Sequence, residues 1–164
     1  MPTLKSVELR HQGGMWFGAD PSSGHSIAFD DRESNQGASP VETVLAALGA
    51  CTAMDVVSIA RKKRQLIDDY IVHVRGSQRD AYPQVFTEIE VVHEMRGRDL
   101  SEAAIRRSIE LSATKYCPVS AMLSAGATVV HHRYAIHSTG AEPYEAEGEV
   151  LATGPYARPD VIVD

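Results

Sequence analysis

Cysteine is scarce in this chain, with two residues in 164, Cys51 and Cys117. Two thiols so far apart make no disulfide framework, no CxxC redox motif and no zinc-ligand set. Basic residues are also in deficit. Sixteen Lys and Arg against 22 Asp and Glu leave a net charge of −6, the wrong sign for a nucleic-acid surface. No Gly-rich phosphate loop follows a strand, which argues against nucleotide binding. Seven histidines are present, yet none joins Cys or Asp at a recognisable metal-ligand spacing. No internal repeat is visible. The start, Met1-Pro2-Thr3-Leu4-Lys5, leads into alternating residues and not into an export signal. Apolar runs read as too short to span a bilayer. The expectation is a soluble cytoplasmic protein, with its cysteines reduced at rest. It is expected to have no cofactor, no metal, and neither nucleic acid nor membrane as a partner.

What is present is enough for one packed domain. Apolar residues make up 43% of the chain and charged residues 23%, the balance of a globular protein. Ser6–Arg10 alternates polar and apolar residues, Gln12-Gly13-Gly14 reads as a turn, and Met15-Trp16-Phe17 begins a second strand. Pro21–Gly24 is another turn, and Ser26–Phe29 a third strand. A polar loop, Asp30 to Gly37, contains Arg32.

Ser39-Pro40-Val41-Glu42 then signals a helix start, with Ser39 at the N-cap, Pro40 at the first helical position and Glu42 closing a capping box. The helix runs to about Ala60 and ends in Arg61-Lys62-Lys63-Arg64, whose charge suits the C-terminal dipole. Almost every position from Val41 to Ala60 is apolar or small, so burial on most sides is expected. A hairpin follows, Tyr70–Val74 and Val85–Val91 around a turn near Pro83. A second helix starts near Asp99–Glu102 and is broken at Lys115–Pro118. Pro118 opens a short helix ended by Gly126, and Ala127–Val130 begins a last strand. Residues 137–164 show no period and read as an arm or loosely held tail outside a domain of residues 1–136.

This order predicts an α+β domain, an antiparallel sheet packed on a long central helix. One six-stranded sheet covers one side of that helix. A second copy of the chain would cover the other, giving a two-fold dimer.

Each cysteine has two readings. Cys51, mid-helix, is either an inert small hydrophobe or a reactive thiol. Cys117 precedes a proline at a helix start, where free backbone N–H groups stabilise a thiolate; otherwise it is an ordinary cap residue. Arg32 and Glu42 are the charges that could flank Cys51, the guanidinium lowering its pKa and the carboxylate holding the guanidinium. Alternatively, Arg32 is a solvated loop charge and Glu42 only a cap. Asp55 lies one turn beyond Cys51. A carboxylate opposes thiolate formation, so Asp55 is expected to pair with a basic group.

Gly37-Ala38-Ser39-Pro40-Val41-Glu42 opening an Ala-rich helix, Cys51 within it eleven positions after the proline, and Cys117-Pro118-Val119-Ser120 far downstream resemble the OsmC/Ohr family of osmotically inducible and organic hydroperoxide resistance proteins. The likeness spans residues 4–136. It implies an intertwined homodimer with the cysteine helices at its centre. It also implies a chemistry in which Cys51 attacks an organic hydroperoxide and Cys117 resolves the sulfenic acid as a disulfide. A dithiol reductant, lipoyl groups in some members, then reopens the disulfide. Peroxidase members carry a glutamate directly after the proline, where this chain has Val41; Glu42 follows one residue later, and Arg32 lies ten residues before Glu42. Cys51–Ile59 and Lys115-Tyr116-Cys117 look closer to a less characterised branch. The resemblance therefore implies a thiol peroxidase of oxidative stress defence with Cys51, Cys117, Arg32 and Glu42 as site residues. The alternative is a redox-sensing or small-ligand-binding protein of the same fold.

Overall fold

The computed structural model describes residues 3–152. The chain divides into two compact units, Met1–Val44 and a larger one from Leu45 onward.

The first unit is a three-stranded antiparallel sheet of β1 (Val7–Gly13), β2 (Trp16–Pro21) and β3 (Ile27–Phe29). Gly13 and Gly14 both adopt positive φ in the first turn, which glycine tolerates without a Cβ clash. The Asp30 carboxylate accepts the N–H groups of Asp31 and Gln36 and so folds the following loop on itself.

Helix α1 (Pro40–Lys62) begins where the capping box places it. The Ser39 N–H and hydroxyl both donate to Glu42 Oε2, at 2.9 and 2.7 Å, and Ser39 Oγ accepts the Glu42 N–H at 3.2 Å. At the other end Arg64 sits at φ 58°, and Gln65 N–H reaches back to the Ala60 carbonyl. A left-handed residue closing such a 6→1 bond stops the helix, so backbone geometry joins the basic charges there.

In the larger unit β4 (Leu66–Gln78) and β5 (Phe86–Arg98) form a long hairpin. Helix α2 (Glu102–Leu111) follows, capped by Ser101. Next come a π-helical turn, Ser112–Tyr116, and α3 (Pro118–Leu123). Strand β6 (Val129–Thr139) returns beside β5, and β7 (Tyr144–Ala152) pairs with β6.

Four expectations change. There are two sheets, of three and four strands, and not one of six. Within an otherwise antiparallel arrangement β5 and β6 run parallel, because a helical crossover of α2 and α3 connects them. Residues 137–152, expected as tail, hold the end of β6 and all of β7. Their alternation is masked by inward glycine and alanine, so the pattern looked aperiodic; the rest of the expected tail lies outside the described residues. Finally, α1 is long and apolar enough by length and composition to cross a membrane, contrary to the reading of apolar run lengths. Its Leu48, Gly49, Thr52, Val56 and Ala60 are buried within the protein.

Those residues recur every three to four positions and form one face, which lies on the inner face of the four-stranded sheet. A Cβ on Gly49 would come within 2.9 Å of Val74 Cγ2, so the missing side chain lets helix and strand approach.

The core has two apolar clusters. One contains Val56, Ala60, Met95, Ile105, Ile109 and Ile136; the other contains Leu48, Ile89, Val91, Cys117 and Val130. Each fully buried Val, Leu or Ile contributes about 1.5–3 kcal/mol relative to exposure. Five elements change from one cluster to the other at a polar residue. These are Thr52 on α1, Tyr70 on β4, His93 on β5, Ser112 after α2 and His132 on β6. Thr52, His93, Ser112 and His132 are fully buried. A polar seam therefore crosses the core.

Candidate active site

Cys51 lies on the buried side of α1, beside Thr52, and is itself half-buried; Cys117 is 3% exposed. The two come together although 65 residues separate them in sequence. Cys51 Sγ, Cys117 Sγ and an Asp55 carboxylate oxygen all lie within 4.8 Å of one another. Both thiols are free. Apolar side chains of Leu45, Leu48, Val72, Val74, Val119 and Leu123 belong to the same cluster as the pair.

The local chain explains Cys117. The π-helical turn ends with the Cys117 N–H donating to the Ser112 carbonyl at 2.9 Å. A five-residue step of this kind is rare and recurs at functional sites. Pro118 then starts α3 with Cys117 as its N-cap. The sulfur accepts the Ser120 N–H at 3.3 Å, as expected from the cysteine–proline sequence.

The electrostatic outcome is opposite to the expectation. Burial pushes the Cys117 thiol up to about 12, and its hydrogen bond with the Cys51 sulfur adds to this; the Ser120 and Val119 N–H groups pull the other way and lose. Desolvation of a thiolate outweighs two backbone dipoles here. Cys117 thus keeps its proton.

Asp55 also differs from expectation. Its Oδ2 accepts from Ser112 Oγ at 2.9 Å, and Ser112 Oγ lies 3.0 Å from Thr52 Oγ1. A serine at the π-helical turn, and not a basic side chain, orients the carboxylate beside the thiols.

Arg32 and Glu42 belong to the N-terminal unit. Glu42 is fully exposed and serves as the capping residue. The Ser39 hydroxyl, then the Ser39 N–H, hold its carboxyl below the usual range, and the Arg32 charge acts in the same direction. Arg32 is an exposed loop residue whose field reaches Glu42.

The sequence reading missed a second buried group. Tyr70 Oη lies 2.6 Å from His93 Nδ1, and His93 Nε2 lies 3.0 Å from His132 Nδ1. The rings meet edge to edge and are nearly parallel, with interplanar angles of 21° for Tyr70 and His93 and 18° for His93 and His132. Burial lowers His93 to about 3 and His132 to about 4, with a neighbouring histidine adding to each. Burial pushes the Tyr70 hydroxyl upward. With Tyr70 donating, neutral rings need Nε2–H on both. The outer atom, His132 Nε2, is buried without a partner among the described residues, as is Ser120 Oγ beside Cys117. The signal for this group was available: Tyr70, His93 and His132 occupy inward positions of alternating strands. His131 and His132 do point to opposite faces, and His131 pairs outside with Glu149 at 2.9 Å.

The OsmC-like protein family matches residues 33–132. Protein YhfA of Escherichia coli K12 is 41% identical over 118 residues, covering 72% of this chain and 88% of its own. A hypothetical protein from Aquifex aeolicus VF5 superposes with a TM-score of 0.72 at 27% identity, over 86% of this chain and 100% of its own. The organic hydroperoxide resistance protein OhrB of Bacillus subtilis shares the fold, with a TM-score of 0.56 at 17% identity, over 80% of this chain and 98% of its own.

Proposed function

The chain belongs to the OsmC-like protein family, and on that premise we propose that it is a thiol peroxidase that reduces organic hydroperoxides through Cys51 and Cys117. The observation that carries this reading is the approach of the two sulfurs to within 4.8 Å in an apolar setting. That setting suits an alkyl hydroperoxide better than a strongly hydrated one.

Cys51, the more accessible sulfur, attacks the O–O bond. One oxygen stays on sulfur as a sulfenic acid, and the other leaves as the alcohol after taking a proton. Cys117 then attacks the sulfenic sulfur, forming the disulfide and releasing water. In sum, two thiols and one hydroperoxide give one disulfide, one alcohol and one water. An external dithiol, of the lipoyl class or similar, restores the thiols by exchange. The reaction needs a reducing compartment, which places it in the cytoplasm, in oxidative stress defence.

The working form is a homodimer. Met54 on α1 is 74% exposed, Met122 on α3 is 69% exposed, and Tyr116 is also exposed. Large apolar residues left on helices beside the cysteines suit a partner surface. Sedimentation should give a dimer, and a stable monomer would remove this part.

The test is thiol counting. Reduced protein treated with one equivalent of cumene hydroperoxide should lose both thiols within one chain, and a dithiol should restore them. Two free thiols after treatment would overturn the proposal. A second reading, a redox sensor that oxidises once and is slowly reset, is favoured by the carboxylate beside the sulfurs. It predicts the disulfide without multiple turnovers.

A further inference from the structure

We propose that the reduced Cys51, Asp55 and Cys117 cluster binds one zinc-class divalent cation, and that the bound ion and the Cys51–Cys117 disulfide exclude each other. Three observations point to this. The three candidate ligand atoms already lie within 4.8 Å of one another. Tetrahedral zinc with Zn–S near 2.3 Å and Zn–O near 2.1 Å needs ligand separations of about 3.5–3.8 Å. The gap is closed by shifts of about 1 Å or less in side chains on helices that stay put.

The spacing is also right. Cys51 and Asp55 are four residues apart on α1, so both project from one side of the helix. Two ligands at i and i+4 on a helix are a known basis for zinc binding. The third comes from a separate element, the junction of the π-helical turn and α3. Finally, the carboxylate is already oriented: Ser112 Oγ donates to Asp55 Oδ2 at 2.9 Å and is itself within 3.0 Å of Thr52 Oγ1. Outer hydrogen bonds of this kind fix a metal-binding carboxylate.

Two thiolates with one carboxylate select zinc or cobalt over calcium or magnesium, which prefer oxygen. Binding would displace both thiol protons and leave the fourth position to water. Both sulfurs would be committed to the ion, so neither could attack a peroxide. Conversely, a disulfide removes both thiolates and abolishes the site.

The test uses the full-length reduced chain freed of metal. Zinc affinity is measured by competition with a chromophoric chelator, and cobalt reports the ligands. One equivalent of zinc per chain is expected. Cobalt should show a thiolate charge-transfer band with intense tetrahedral visible bands. Cys51→Ser and Cys117→Ser should each lose about 100-fold or more in affinity, and Asp55→Asn about tenfold. Asn keeps an oxygen for the Ser112 bond, so that variant should fold. Peroxide-oxidised protein should not bind, and zinc should protect both thiols from alkylation.

No zinc binding, cobalt binding without the thiolate band, or affinity unchanged in Asp55→Asn would each overturn the proposal. Turnover on the same metal-free preparation separates this from the peroxidase reading. Turnover without zinc binding sinks only the metal site; zinc binding without turnover sinks only the peroxidase.

Discussion

The core of the larger unit holds two polar groups that differ in what anchors them. Tyr70, His93 and His132 stand on three adjacent strands whose ladder fixes their spacing. Cys51, Asp55 and Cys117 stand on a long helix and on a helix junction, with no strand among them. The first group is joined by direct hydrogen bonds of 2.6 and 3.0 Å. The second is a looser assembly of atoms up to 4.8 Å apart. A sheet supports a closed structural relay. A helix junction leaves room for bond formation between sulfurs.

The largest expected effect falls on the cysteine side. Cys51→Ser should lower organic hydroperoxide consumption at least about 100-fold, because the attacking sulfur is gone. Cys117→Ser should instead let Cys51 sulfenic acid persist, trapped by a dimedone-type reagent and seen by mass spectrometry. Equal turnover in the parent and Cys51→Ser would end the distinction between a reactive and a structural group.

The next effect belongs to the histidine side. Both rings have folded pKa values far below the ordinary value of about 6.5. The unfolded chain therefore binds more protons, and stability falls as pH drops through 6.5. The contribution is intact above pH 7. Between pH 7 and 5 two such rings should cost about 3–4 kcal/mol of unfolding free energy, from the linkage of about 1.4 kcal/mol per pH unit each. Urea unfolding at the two pH values checks this, and the loss should shrink in His132→Gln. A flat profile would show that the rings are charged or solvated.

Tyr70→Phe sharpens the comparison further. It keeps the ring and strands His93 Nδ1, so a loss of about 1–3 kcal/mol is expected with thiol chemistry unchanged. Ser112→Ala should be the mildest, about 1–2 kcal/mol. It removes the bond to Asp55, so it should also slow disulfide formation, read by thiol counting after hydroperoxide addition.

Much of the fold was legible, and for local reasons. The Ser39–Glu42 box, the Gly13–Gly14 turn and the Cys117–Pro118 break are set by nearby residues and appear where expected. The two cysteines were legible as a pair only through resemblance, because nothing local says that residues 51 and 117 meet. The parallel β5–β6 pairing and β7 were hidden. Pairing direction is decided by a crossover, and Ala146 and Gly148 carry little hydrophobic pattern. The His93–His132 contact was hidden likewise, since each histidine was read on its own strand and strand register is a tertiary property. Asp55 was placed on the right face but given the wrong partner, because Ser112 comes from an element 57 residues away.

The turn between α2 and Cys117 holds one residue more than an α-helical path would need, since Cys117 bonds back five residues to Ser112. That surplus is a phase setting. Tightening the turn to an α-helical one at unchanged length would give the Ser112 carbonyl to the Tyr116 N–H and swing residue 117 about 100° around the axis. The meeting of the two sulfurs therefore depends on counting as well as on chemistry. A chain could keep both cysteines, Asp55 and the whole sheet and still separate the thiols by repitching a single turn.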